Sequence, residues 1–321
     1  MKSETARLPG SAPGATNGQH HGSPFDLENE GAYRRWRDQK LAGYPGSLDE
    51  LIVPVEDPAR LSADEAAALT SLCRRANMAV YASGVSGAGD KSLPLELGAR
   101  LGLKRIDKPL TTDEDGVSEL AVSGDAEKQS YIPYTDRALG WHTDGTYNPP
   151  QRRVRALLLH CAGAAASGGE SFLLDPDIAY IHLRDENPDF IGALMRPDAL
   201  TIPANIEGGI ERRSEQAGPA FAIDPETGAL HLRYTARKRF VSWADDGADD
   251  GAVKGGLECL GRLFTGDSQY IHRVTLKPGW GLVCNNVLHG RTAFVDGAGE
   301  AQKRLIYRVY YLDRIAGTGY R

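Results

Sequence analysis

The sequence predicts a mainly β fold, a sandwich or barrel with helices added to it. Short apolar or alternating segments, separated by glycine and proline turns, fill the C-terminal two thirds of the chain. Helical signals are confined to a few short stretches. No strand-like segment leads into a G-x-G-x-x-G turn and no Walker A loop is present, so dinucleotide-binding and P-loop folds have no signal. The 321 residues are 41% hydrophobic and 25% charged, an ordinary globular balance that admits one large domain or two smaller ones.

Residues 1–24 are rich in Gly, Ser, Pro and Ala and read as a disordered tail, with His20 and His21 solvated inside it. Residues 25–321 read as one globular domain. Ser62-Ala63-Asp64-Glu65 is a capping box, and the Ala and Leu periodicity behind it predicts a helix to about Asn77. Met78–Ala82 reads as a strand. A second helix starts near Ser92-Leu93-Pro94 and stops at Gly102, with proline in its first turn and glycine past its end. The apolar run Arg153–His160 reads as a strand. Asp175–Met195 reads as two short helices broken at Asn187-Pro188, since proline cannot continue a helix. Residues 245–256 are acidic and Gly-rich, a surface loop, with a helix expected over 256–264. Ile271–Leu276 alternates and puts His272, Val274 and Leu276 on one face. Trp280–Asn285, after the Pro278-Gly279 turn, and Arg304–Leu312 complete the strands.

A net charge of −6 argues against a nucleic-acid partner, which needs a basic face, and fits poorly with an anionic membrane surface. The longest apolar run, Ala156–Ala166, is interrupted by His160 and falls far short of the roughly 20 residues that span a bilayer. No apolar leader core is visible, so a cytoplasmic location is expected. The four cysteines form no Cys-x-x-Cys pair and read as free buried thiols in a reducing compartment. The expected partner is a small molecule, and a homo-oligomer is left open.

His142-Thr143-Asp144 places an imidazole and a carboxylate at i and i+2, on one side of an extended strand. With one distant histidine this makes the facial triad of non-haem iron oxygenases, three protein ligands that leave three metal positions free. The pair alone is weak: about half of all chains with eight histidines would contain one by chance. Context decides. The pair lies in WHTDGTY, the third histidine is His289 in NNVLHGRTAF, and Arg304 follows fifteen residues later. His160, His231 and His272 sit in apolar strand-like segments and read as buried structural histidines.

These segments, with SGGESFLLD and RLIYRVYYLDR, resemble the TauD/TfdA-type Fe(II)/2-oxoglutarate dioxygenases, and among them the γ-butyrobetaine hydroxylase-like branch. The matching motifs run from about residue 131 to 313. The resemblance implies a double-stranded β-helix (jelly roll) core with flanking helices, a mainly β (α+β) fold. It implies an enzyme that uses Fe(II), 2-oxoglutarate and O₂, with ascorbate as an optional stimulant, and that releases succinate and CO₂. His142, Asp144 and His289 match the iron ligands. Arg304, with Ser171, matches the anchor of the distal 2-oxoglutarate carboxylate. Arg308 matches the position that holds an anionic substrate group in some relatives. Tyr134, Tyr147 and Tyr310 look like positions of an aromatic cage for an ammonium, with Tyr131 a further candidate. A carboxylate at Asp144 favours hydroxylation or desaturation over halogenation, because related halogenases have Gly or Ala there.

The chain departs from the butyrobetaine branch in lacking its zinc-module cysteines and in having Asn286 where that branch often has arginine. Ala138 stands where taurine-type enzymes usually have asparagine. Arg308 with the tyrosines points to a small zwitterion as substrate. A sulfonate or phosphonate oxygenase, an amino-acid or natural-product tailoring oxygenase, and a non-enzymatic jelly roll with a vestigial metal site are the competing readings.

Overall fold

The computed structural model describes residues 22–86, 88–109, 112–237, 241–244, 251–299 and 302–320. The sequence's tail, with His20 and His21, falls almost entirely outside these, as do residues 245–250 of the acidic loop expected over 245–256.

The strands form a large and a small main sheet, with a three-stranded and three two-stranded ones beside them. Across the large one, in spatial order, lie Ile52–Pro54, Met78–Ala82, Trp280–Cys284, Ala156–Gly163, Leu305–Tyr311 and Ile106–Asp107, with Ser118–Leu120 also paired to Leu305–Tyr311. All neighbours are antiparallel except the first two strands. The small sheet is His272–Val274, Ser171–Leu174, Leu288–Arg291 and Leu139–His142, again antiparallel. This arrangement is the jelly roll expected from the motifs. The buried apolar side chains of both sheets, such as Leu157, Leu158 and Leu282 with Leu173, Leu174 and Leu288, belong to one core cluster.

The central strand Ala156–Gly163 is buried along nearly its whole length, which is why it reads as a continuous apolar run. It begins three residues later than expected, because Pro150–Arg152 forms a 3₁₀ turn and the strand runs on to pair Gly163 with Leu305. In His272–Val274 the alternation holds: His272 and Val274 are buried and Arg273 is exposed. Gly290, between His289 and Arg291, sits under Phe172; a Cβ there would come within 2.2 Å of that ring. The pairing with Leu139–His142 shifts register at this point.

The helices cover the sheets. Helix α1 is Glu30–Ala42 and α2 is Ala63–Ala76, opened by the expected capping box of Ser62 and Glu65 and closed by Asn77 in the left-handed region. Helix α3, Leu93–Arg100, packs with α2 on the large sheet. After the short α4, Ala126–Gln129, come α5, Pro176–Glu186, and α6, Pro188–Leu194, which meet at Asn187 as the sequence indicates. Helix α7 covers Ala252–Thr265, four residues earlier than expected. Gly255 and Gly256 lower its intrinsic propensity, but they admit Phe190 of α6 against the helix backbone, and that packing decides. Phe264 of α7 stacks on Trp141 of the small sheet at 4.8 Å.

Candidate active site

The small sheet brings the two halves of the triad together. His142 and His289 are direct cross-strand partners, their rings 4.3 Å apart between centroids. Asp144 follows in the turn after its strand. One ligand atom from each of His142, Asp144 and His289 lies within 4.8 Å of the others.

The ring orientation is set from behind. His142 Nδ1 lies 2.9 Å from the Gly140 carbonyl and His289 Nδ1 lies 2.9 Å from the Val287 carbonyl. A carbonyl only accepts, so each Nδ1 carries the proton and each Nε2 presents a lone pair to the site. His142 Nε2 is 3.7 Å from Asp144 Oδ1, and His289 Nε2 is 3.4 Å from Asp144 Oδ2. Asp144 Oδ2 is buried and has no hydrogen-bond partner among the described residues. Two imidazole nitrogens converging with a carboxylate oxygen that has no hydrogen-bond partner among the described residues fit a divalent cation of the N/O-preferring kind.

Burial and the neighbouring His289 push the His142 pKa down to about 4, so its ring stays neutral near pH 7. Burial opposes ionisation of Asp144, but His289, His142 and Arg308 outweigh it and hold the carboxyl below its ordinary range. Burial lowers the pKa of His289, and the Asp144 charge more than reverses this.

Asp144 is held at both ends. Tyr310 Oη donates to its Oδ1 at 2.5 Å. Its backbone N–H donates to Asn286 Oδ1 at 2.8 Å, while Asn286 Nδ2 donates to the carbonyls of Asp144 and Val154. Asn286 is 3% exposed and adopts a left-handed φ of 48°, a conformation asparagine tolerates better than most residues. The sequence marks Asn286 only as a departure from a pattern; its clamp on Asp144 depends on a turn and a bend 142 residues apart.

Arg304 lies against Phe294 with its guanidinium 5.1 Å from the ring centroid, and its buried Nη1 has no partner. Arg291 approaches the same ring at 4.7 Å and donates to the carbonyls of Thr135 and Arg137. Burial, then repulsion from Arg291, lowers the Arg304 pKa to about 9. Ser171 faces Arg291 across the small sheet. Arg291 follows His289 by two residues, yet the sequence does not distinguish it from a surface arginine.

Arg308 is 9% exposed, its Nε unpartnered and its guanidinium 4.3 Å from the Tyr310 ring. Burial lowers its pKa, but Tyr310 and Asp144, ahead of Tyr134 and Tyr147, raise it overall. Tyr134 is buried, with Lys128 5.6 Å from its ring; Tyr147 has Arg213 at 5.2 Å; Tyr131 is 38% exposed. His160 is fully buried and bonded on both nitrogens, to Tyr81 and the Ser86 carbonyl, and His231 and His272 are buried as expected. All four cysteines are buried and free. Among the described residues no helix is long and apolar enough to cross a membrane.

Residues 44–310 match the family model described as taurine catabolism dioxygenase TauD, TfdA family. A uridine-5'-phosphate dioxygenase from Amycolatopsis sp. is 31% identical over 172 residues, 53% of this chain and 60% of that protein. The chain thus spans about three fifths of that relative's length. A protein of the same name from Streptomyces sp. is 29% identical over 189 residues, 58% of this chain and 67% of the relative. The crystal structure of the non-heme iron oxygenase OrfP in complex with Fe and alpha-ketoglutaric acid superposes with a TM-score of 0.58 at 16% identity, covering 92% of each chain, a likeness of fold.

Proposed function

The chain belongs to the TauD/TfdA family of dioxygenases, and from that premise we propose an Fe(II)- and 2-oxoglutarate-dependent oxygenase that hydroxylates a C–H bond of a small anionic metabolite. The observation that carries this reading is the convergence of two Nε2 lone pairs and the orphaned Asp144 Oδ2. His142, Asp144 and His289 would hold the iron. The bound metal supplies the oxidising chemistry: substrate, O₂ and 2-oxoglutarate give hydroxylated substrate, succinate and CO₂.

The chain's own residues do the rest. The two Nδ1–H bonds fix both imidazole tautomers. Tyr310 takes up Asp144 Oδ1 and leaves Oδ2 as the ligand atom. Arg304, held against Phe294 with Nη1 unpartnered among the described residues, is placed to pair with the distal carboxylate of 2-oxoglutarate, with Arg291 on the same ring and Ser171 opposite Arg291. Arg308 is placed to orient the anionic group of the substrate; it lies within the strand Leu305–Tyr311, whereas Arg304 stands just before that strand. Two separate anionic ligands therefore have two separate cations.

The zwitterion expected from the sequence keeps its anionic half on Arg308. Its ammonium half, and with it the butyrobetaine-like branch, draws less support. Tyr134, Tyr147 and Tyr310 are each approached by a cation of the chain itself, Lys128, Arg213 and Arg308. The two relatives named for uridine 5'-phosphate also favour an anion and make a nucleoside monophosphate the first substrate to try. We read residues 25–321 as one catalytic domain, in keeping with the shared core, and the buried free thiols support a reducing, cytoplasmic setting.

Release of labelled CO₂ from carboxyl-labelled 2-oxoglutarate tests the proposal. Release should require added Fe(II), rise with uridine 5'-monophosphate or another anionic substrate, and vanish in Asp144→Ala. Undiminished release in Asp144→Ala overturns the proposal.

A further inference from the structure

We propose that Arg213, together with Arg308, forms a subsite for a phosphomonoester and so selects phosphorylated substrates. The inference rests on the oxygenase reading above and names the substrate class of that site.

Arg213 ends the strand Ile210–Arg213, which pairs with Asn205–Glu207 in a hairpin outside both main sheets. Its Nη2 donates to the Pro203 carbonyl at 3.2 Å, while its Nε is buried without a partner. Its guanidinium lies 5.2 Å from the ring centroid of Tyr147. Arg308 acts on the same tyrosine from the side of the triad, and its Nε is also buried and unpartnered. Among the described residues neither arginine is in an ion pair. The carboxylates near Tyr147 are committed elsewhere: Asp144 to Tyr310 and the triad, Asp107 to Arg152 and Asn148.

Buried Arg308 and half-buried Arg213 thus both lie near one tyrosine, and among the described residues no anion is paired with either. Leaving buried charge unmatched is unfavourable, so the arrangement fits a ligand that brings the charge. A carboxylate or sulfonate brings one negative charge and is satisfied by Arg308 alone. A phosphomonoester brings about −1.5 to −2 at pH 7 and three strong acceptor oxygens. It offers enough acceptor oxygens for both guanidiniums, each suited to bidentate contact, and for the Tyr147 hydroxyl as a further donor. Arg308 is the one of the two that also acts on Asp144, so the phosphate would bind on the substrate side of the triad and serve orientation. Arg213 gives no local sequence signal, since it meets Tyr147 only through the hairpin.

The test is anaerobic calorimetric titration of the enzyme loaded with Fe(II) and 2-oxoglutarate, using uridine 5'-monophosphate, uridine and inorganic phosphate. The wild type should bind the monophosphate on the order of 30-fold or more tightly than uridine. Arg213→Gln should collapse that ratio while leaving uridine binding and the affinity for 2-oxoglutarate unchanged. Arg213→Lys, which keeps the charge and loses the planar fork, should fall between. An unchanged melting midpoint shows that each variant folds. A ratio that Arg213→Gln leaves intact, or a wild type without Arg213-dependent binding of either the monophosphate or phosphate, overturns the subsite. Decarboxylation of 2-oxoglutarate, measured separately, reports on the oxygenase reading: turnover without the Arg213 effect removes the subsite alone, and the Arg213 effect without turnover removes the oxygenase alone.

Discussion

Asp144 receives contacts from three directions: Tyr310 on one carboxylate oxygen, Asn286 on its backbone, and His289 facing the other oxygen. Asn286 is the least replaceable of these, since its one amide joins the Asp144 turn to the Val154 carbonyl. Asn286→Ala is expected to weaken iron binding about 10- to 100-fold through loss of that support, with the ligands themselves intact. Anaerobic titration with Fe(II) measures it, and wild-type affinity would show that Asn286 is structural only. The triad residues are legible in the sequence because each stands in a motif with fixed spacing. The holding residues are not, because Asn286 and Tyr310 act through contacts across 142 and 166 positions. The sequence reads Tyr310 as a cage aromatic, whereas in the structure its hydroxyl donates to Asp144.

Among the elements, those with local signals match the sequence closely. The capping box of α2, the proline break between α5 and α6 and the strand Met78–Ala82 fall where expected, because caps, proline and apolar alternation act within a few residues. The start of Ala156–Gly163 and the first turn of α7 do not, because a pairing partner and Phe190 set them. The Leu288–Arg291 strand combines both kinds of determinant: its motif is visible, but the need for Gly290 comes from Phe172 above it. Gly290→Ala is expected to destabilise the protein by roughly 1–3 kcal/mol by overpacking, and to displace the neighbouring His289. Iron-dependent turnover should therefore fall more than the loss of folded protein accounts for. Full activity per folded molecule would place the strain away from the site.

The whole molecule is tied together by a buried charge cluster on the side of α1. Lys40, 7% exposed, contacts Asp175 at 2.6 Å and Asp177 at 2.8 Å. Asn77, at the end of α2, donates to both carboxylates, and the Tyr320 hydroxyl donates to Asp177. Lys40→Met would leave two buried carboxylates without their cation, a loss of about 3–5 kcal/mol by denaturant unfolding. A loss under about 1 kcal/mol would mean that water reaches the pair. The same contrast between bulk and local charge governs function. A chain of net charge −6 buries Arg304 and Arg308, each with a nitrogen that has no partner among the described residues, so an acidic protein carries local positions suited to anions. The most direct test of the account is optical titration of the anaerobic protein with Fe(II) and 2-oxoglutarate. The account predicts a visible charge-transfer band that saturates at one iron per chain and is lost in His289→Ala. A band that persists in His289→Ala, or no band in a folded wild type, would contradict it.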